Sequence, residues 1–90
     1  MSLSRADQDA AQAVVDHASA KDRAELKAQA EQLLAETNHL MGQRLLTREE
    51  SHDSEIAIEI LVRLEALEES GGWWFRAKRR VQLIQMYLGN

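Results

Sequence analysis

Ninety residues with a net charge of −4, no cysteine and no proline make one small domain that no disulfide or thiolate metal site can staple. The acidic balance, with a pI near 5.3, weighs against a general nucleic-acid binder. No apolar run approaches the roughly 18 residues of a membrane span, and the N-terminus carries no signal-like apolar stretch, so the expected location is the cytoplasm. Ala, Glu, Leu, Gln, Arg and Lys dominate, all good helix formers, so residues 1–90 read as a single all-α domain.

Ser4-x-x-Asp7 has the form of an N-cap with an acid in the first turn, which starts a helix near Arg5. No Gly or Pro forces that helix to stop before about Leu46. The choice is one long helix or two with a break near Ser19 to Asp22, and the break is preferred, because serine and aspartate favour caps over helix interiors. Leu26, Ala30, Leu33, Leu34, Thr37, Leu40 and Met41 form one stripe at 100° per residue. Ala24, Ala28, Ala35 and Gly42 lie nearly opposite, and the same face runs back through Ala6, Ala10, Ala13 and His17. Two such faces suggest a helix that is central in a bundle or lies in an oligomer. A helix over Lys21–Leu46 is about 39 Å long, against a radius of gyration of about 12 Å for a compact chain of this size. The expectation is an elongated three- or four-helix bundle completed by dimerisation.

Thr47-x-x-Glu50 is a capping box, with Ser51 and Ser54 as rival caps, so a connection falls within Thr47–Ser54. The next helix carries Ile56, Ala57, Ile60, Leu61, Leu64 and Leu67 on one broad face, with Ile58 and Val62 on another beside Glu59 and Glu65. Gly71-Gly72 is expected to end it as C-cap and turn. A last helix is predicted from about Trp73 to Leu88, closed by Gly89-Asn90. Its main stripe is Trp73, Ala77, Val81, Ile84 and Leu88, with Phe75, Leu83 and Met86 opposite. This pattern predicts burial of Leu33, Leu40, Ile60, Leu64 and Ile84, and it places Trp73 in the core and Trp74 at the surface.

The segment Gly71–Arg80, GGWWFRAKRR, stands out. From Trp73 to Asn90 there are four cations and no carboxylate, whereas Thr47–Glu69 holds eight carboxylates and two arginines. A tight turn between the two would bring opposite charges face to face. On one reading the cations pair with Glu65, Glu68 and Glu69 as surface ion pairs worth about 0–1 kcal/mol each, and the tryptophans plug the bundle end. Cations in the first turns of a helix oppose its dipole, however. On the other reading, Trp74, Arg76, Lys78, Arg79 and Arg80 form a partner-binding site, since Trp and Arg are enriched in binding hot spots.

Little else carries chemistry. His17, His39 and His52 are not spaced as a helical metal pair. Glu36-x-x-His39 and Glu49-x-x-His52 resemble half of a di-iron site only nominally, because the second falls at a helix start. The chain has no nucleophile elbow and no phosphate-binding glycine loop, and its serines sit at helix caps. The sequence therefore points to a non-catalytic protein–protein interaction module without cofactor or metal. It would act as a homodimer on a partner with an acidic or apolar surface, as an adaptor, assembly factor or inhibitor of a regulator. The alternative is a nucleic-acid or membrane-surface accessory using Trp73–Arg80.

Overall fold

A computed structural model describes residues 3–69 and 71–89. They form α1 (Arg5–His17), α2 (Ala20–Met41), α3 (Arg48–Ala66) and α4 (Gly72–Tyr87), with no strand among the described residues. Local chemistry sets most boundaries. Ser4 Oγ accepts the Asp7 N–H at 3.1 Å and Ser19 Oγ accepts the Asp22 N–H at 3.2 Å, so each serine caps a helix. Ala18, in extended conformation, separates α1 from α2. At the far end of α2, the Gly42 N–H bonds the carbonyls of His39 and Leu40, and the helix stops at Met41, short of Leu46. The Thr47–Glu50 capping box is fully formed. Arg44 forks onto the same Glu50 carboxylate at 2.8 and 2.7 Å, which ties the α2–α3 connection to the start of α3.

The turn before α4 differs from expectation. The third helix ends at Ala66, well before the glycine pair. Gly71 is instead the N-cap of α4, and Gly72 opens that helix at φ 56, a left-handed angle that disfavours a side chain. A Cβ on Gly71 would lie 2.9 Å from Phe75 Cβ, so the first turn closes tightly on itself. Asn90, expected to end α4 with Gly89, lies outside the described residues.

The central element is α3, which packs against α1, α2 and α4. It buries residues of both its apolar faces: Ala57 and Leu61 join Ile58 and Val62 in one core with Ala30 and Leu34 of α2 and Leu83 of α4. Ala11 and Val15 of α1 are buried as well. Of the two expectations for the first half of the chain, a central helix in the bundle or a helix in an oligomer, the first is not met. Ala24, Ala28, Ala35 and Gly42 are exposed, as are Ala6, Ala10, Ala13 and His17. Small side chains bury little apolar area, so the larger Ile, Leu and Val side chains of α3 win the centre. Of the five expected core residues, Leu64 is buried, Leu33, Leu40 and Ile60 are half-buried, and Ile84 is exposed.

The bundle measures 37 × 26 × 23 Å, with a radius of gyration of 12.8 Å. It is only modestly elongated, because the break at Ser19 and the stop at Gly42 limit α2 to 22 residues. No helix among the described residues is long and apolar enough to cross a membrane.

Candidate interaction surface on α4

At 100° per residue, Arg79, Arg80 and Leu83 share one face of α4. That face meets α3 where Glu59 and Glu65 stand three residues either side of Val62. Leu83 and Val62 join the common core. Arg79 reaches Glu65 with Nε at 2.5 Å and Nη2 at 3.2 Å. Arg80 grips both oxygens of Glu59, a carboxylate only 4% exposed. An apolar contact flanked by two forked ion pairs thus holds α4 at a fixed roll angle. At the other end, Asn38 of α2 donates to the Tyr87 carbonyl at 2.8 Å, satisfying an otherwise orphaned group of the last turn.

Glu59 also links α4 to α1. Arg63, one turn on, lies with Nε 3.5 Å from Glu59 Oε2, a charge contact without a hydrogen bond. The Arg63 Nη1 donates to Gln12 Oε1 of α1 at 2.7 Å. Asp7 of α1 meets His52 of α3 at 3.2 Å. His52 first and the Ser4 hydroxyl second hold the Asp7 carboxyl below its ordinary range. Glu50 is held low as well, at about 2, by the Arg44 fork and the Thr47 backbone N–H. The Glu65 carboxylate raises the Arg79 guanidinium above its usual value.

The roll angle set by these pairs changes the expected faces of α4 in part, since Met86 of the minor stripe is exposed and Leu88 of the main stripe packs against the core. Leu83, assigned to the minor stripe, is buried. Trp73, expected in the core, is 70% exposed, and Val81 and Ile84 of the same stripe are exposed too. Docking through Arg79, Arg80 and Leu83 turns Val81 outward, whereas Trp73, seven residues before Arg80 and on the same side of α4, is exposed at the start of the helix. Trp74 is 66% exposed and meets Trp73 edge to face, with ring centroids 5.6 Å apart. The two indoles leave the start of α4 as a ridge rather than a plug.

The five expected site residues therefore divide. Trp74 and Lys78 are exposed, and Arg76 is half-exposed. Neither Arg76 nor Lys78 makes an ion pair among the described residues. Arg79 and Arg80 hold α4 to α3, Arg79 on Glu65 as expected and Arg80 on Glu59 instead of Glu65, Glu68 or Glu69. Sequence reasoning missed Trp73, Val81 and Ile84 as surface residues. The available signal was the pair of arginines flanking Leu83, which marks that face as the one turned toward acids.

A second apolar surface lies between α2 and α3. Leu26, Leu33, Ile56 and Ile60, all half-buried, line an open cleft of about 240 Å³ with Ala30 and Ala57 at its floor. No set of three or more His, Cys, Asp or Glu side chains is arranged to hold a metal ion among the described residues. No family model, no curated protein and no solved structure matches the chain.

Proposed function

We propose that this protein is a small non-catalytic protein–protein interaction module of the cytoplasm, an adaptor, assembly factor or inhibitor of a regulator, that works as a helical homo-oligomer. The observation that carries the reading is the exposed Trp73–Trp74 pair on a helix already anchored to α3 by Arg79, Arg80 and Leu83. Large aromatics held rigidly at a surface supply contact area at low entropic cost, which is why they dominate binding hot spots. Exposed Val81 and Ile84 continue the apolar surface along α4. The apolar cleft at Ile56 and Ile60 supports self-association, since a chain this short gains stability by covering such a surface with a second copy.

The alternative, a nucleic-acid or membrane-surface accessory, is weakened by the arrangement of charges. Arg79 and Arg80 are neutralised within the chain, which leaves Arg76 and Lys78 as a small cationic footprint.

Light scattering at micromolar concentration tests the oligomer and should return about twice the 10.2 kDa chain mass. Ile60→Glu should return the monomer mass with unchanged helical content. A wild-type monomer removes the homo-oligomer from the reading. Capture of a binding partner should be lost with Trp74→Ala. Binding that collapses between about 50 and 200 mM salt would favour the nucleic-acid alternative.

A further inference from the structure

Trp74, Ala77, Val81, Ile84 and Leu88 recur at intervals of three, four, three and four residues. That is the seam spacing of paired helices, in which alternate three- and four-residue steps keep one edge facing a partner. Yet α4 does not use this seam to join its own bundle. It docks through Arg79, Arg80 and Leu83, leaving Trp74, Val81 and Ile84 exposed, while Leu88 is partly covered by the core. A 3–4 stripe predicts a helix as occupant, because a strand or an irregular peptide does not match a 3.5-residue period.

Charge decides what kind of helix. No acidic residue occurs from Gly72 to Tyr87. Lys78 lies along one flank of the seam, whereas Arg76 falls on the side of α4 that carries Arg79 and Arg80. The N-terminus of α4 adds to this, since Gly71 provides no side-chain cap and the first turn has no acid. Its first-turn N–H groups carry the positive end of the helix dipole beside the Trp pair. A second α4 would bring another set of cations and no compensating acid. We infer that the α4 seam is a docking site for an acidic amphipathic helix of another protein, with apolar residues at 3–4 spacing and Glu or Asp on its flanks. The inference rests on the interaction-module reading and names the partner's chemistry.

The test uses the full chain and two designed helical peptides of about 21 residues, three heptads long. Both carry Leu at the seam positions, with Glu at every flanking position in one and Lys in the other. Intrinsic tryptophan fluorescence reports binding at the site, and anisotropy of labelled peptide gives the affinity. The Glu peptide should blue-shift the emission and bind at least about tenfold more tightly than the Lys peptide. Val81→Asp should abolish binding without altering the circular dichroism spectrum, since Val81 is exposed. Lys78→Glu should weaken the Glu peptide by about two- to fivefold, the range of an exposed charge pair.

Equal binding of the two peptides overturns the inference. So does failure of the Glu peptide to bind at about 1 mM, or a Val81→Asp variant that still binds it. Self-association lost with Val81→Asp would also overturn it, by giving the seam to a second copy. If the peptides fail while the chain remains a dimer that Ile60→Glu dissociates, the interaction-module reading survives without this inference. A monomeric chain that binds neither peptide removes this inference and the homo-oligomer together, and leaves the module reading to the Trp74→Ala capture test.

Discussion

Replacing Arg80 with methionine removes the principal partner of a buried carboxylate. Glu59 has 5% of its side chain exposed, against 33% for Arg80, so the charge left behind sits on the buried side of the pair. Breaking a buried ion pair from one side costs about 3–5 kcal/mol. Arg63 remains 3.5 Å from Glu59 and offsets part of that loss. Arg80 is itself one-third exposed, so water can enter as it leaves. The expected loss is therefore about 3 kcal/mol, the lower end of the range. Arg79→Gln is the internal comparison: Arg79 and Glu65 are 27% and 25% exposed, and that pair should contribute only about 1 kcal/mol. Ninety residues typically hold roughly 5–13 kcal/mol of stability, so both variants should remain folded without denaturant. Urea titration followed by circular dichroism measures both losses. The double variant Glu59→Met with Arg80→Met should recover most of the deficit, because an apolar pair of similar volume removes the stranded charge. An Arg80→Met loss below about 1 kcal/mol, or equal to that of Arg79→Gln, would refute the assignment of Glu59 as a buried charge held by Arg80.

The changed faces of α4 make a second contrast measurable. Leu34→Ala, at a fully buried position, should cost about 2–5 kcal/mol, whereas Ile84→Ala, on the exposed seam, should change stability by less than about 1 kcal/mol. Equal losses would mean that α4 packs through the stripe that includes Ile84. Acid should loosen the α2–α3 connection. The folded-state pKa of Glu50 lies at about 2, below the ordinary 4.5, so its contribution is present above pH 4.5 and is lost as pH falls toward 2. Asp7 acts in the same direction, being held low by His52 and Ser4. The stability difference between wild type and Glu50→Gln, followed by thermal melts across that interval, should shrink as pH falls; a constant difference would deny the Arg44–Glu50 fork a role in solution.

Sequence alone determined the elements of this protein and most of their starts, whereas α2 and α3 stop before the expected Leu46 and Gly71. Ser4, Ser19 and Thr47 cap their own helices, and the break at Ala18 follows from the capping preference of Ser19. These are contacts within three or four residues, so the local sequence contains the whole cause. It also held the charge asymmetry between the acidic third helix and the cationic fourth. What it left open was which side of each helix faces inward. The last helix offers two apolar stripes, and periodicity favours the one with more residues, through Trp73 and Ile84. The fold took only Leu83 from the other, because Arg79 and Arg80 find Glu65 and Glu59 across 14 and 21 residues of chain and carry Leu83 inward with them while Met86 stays exposed. Likewise the alanine face of α2 suggested a central helix, but α3 supplies more apolar volume on both sides and takes that place. A side chain's hydrophobicity is local, whereas the partner that decides its burial is set by non-local pairing, and only the tertiary structure brings Arg80 to Glu59 and leaves Trp73 and Trp74 exposed to solvent.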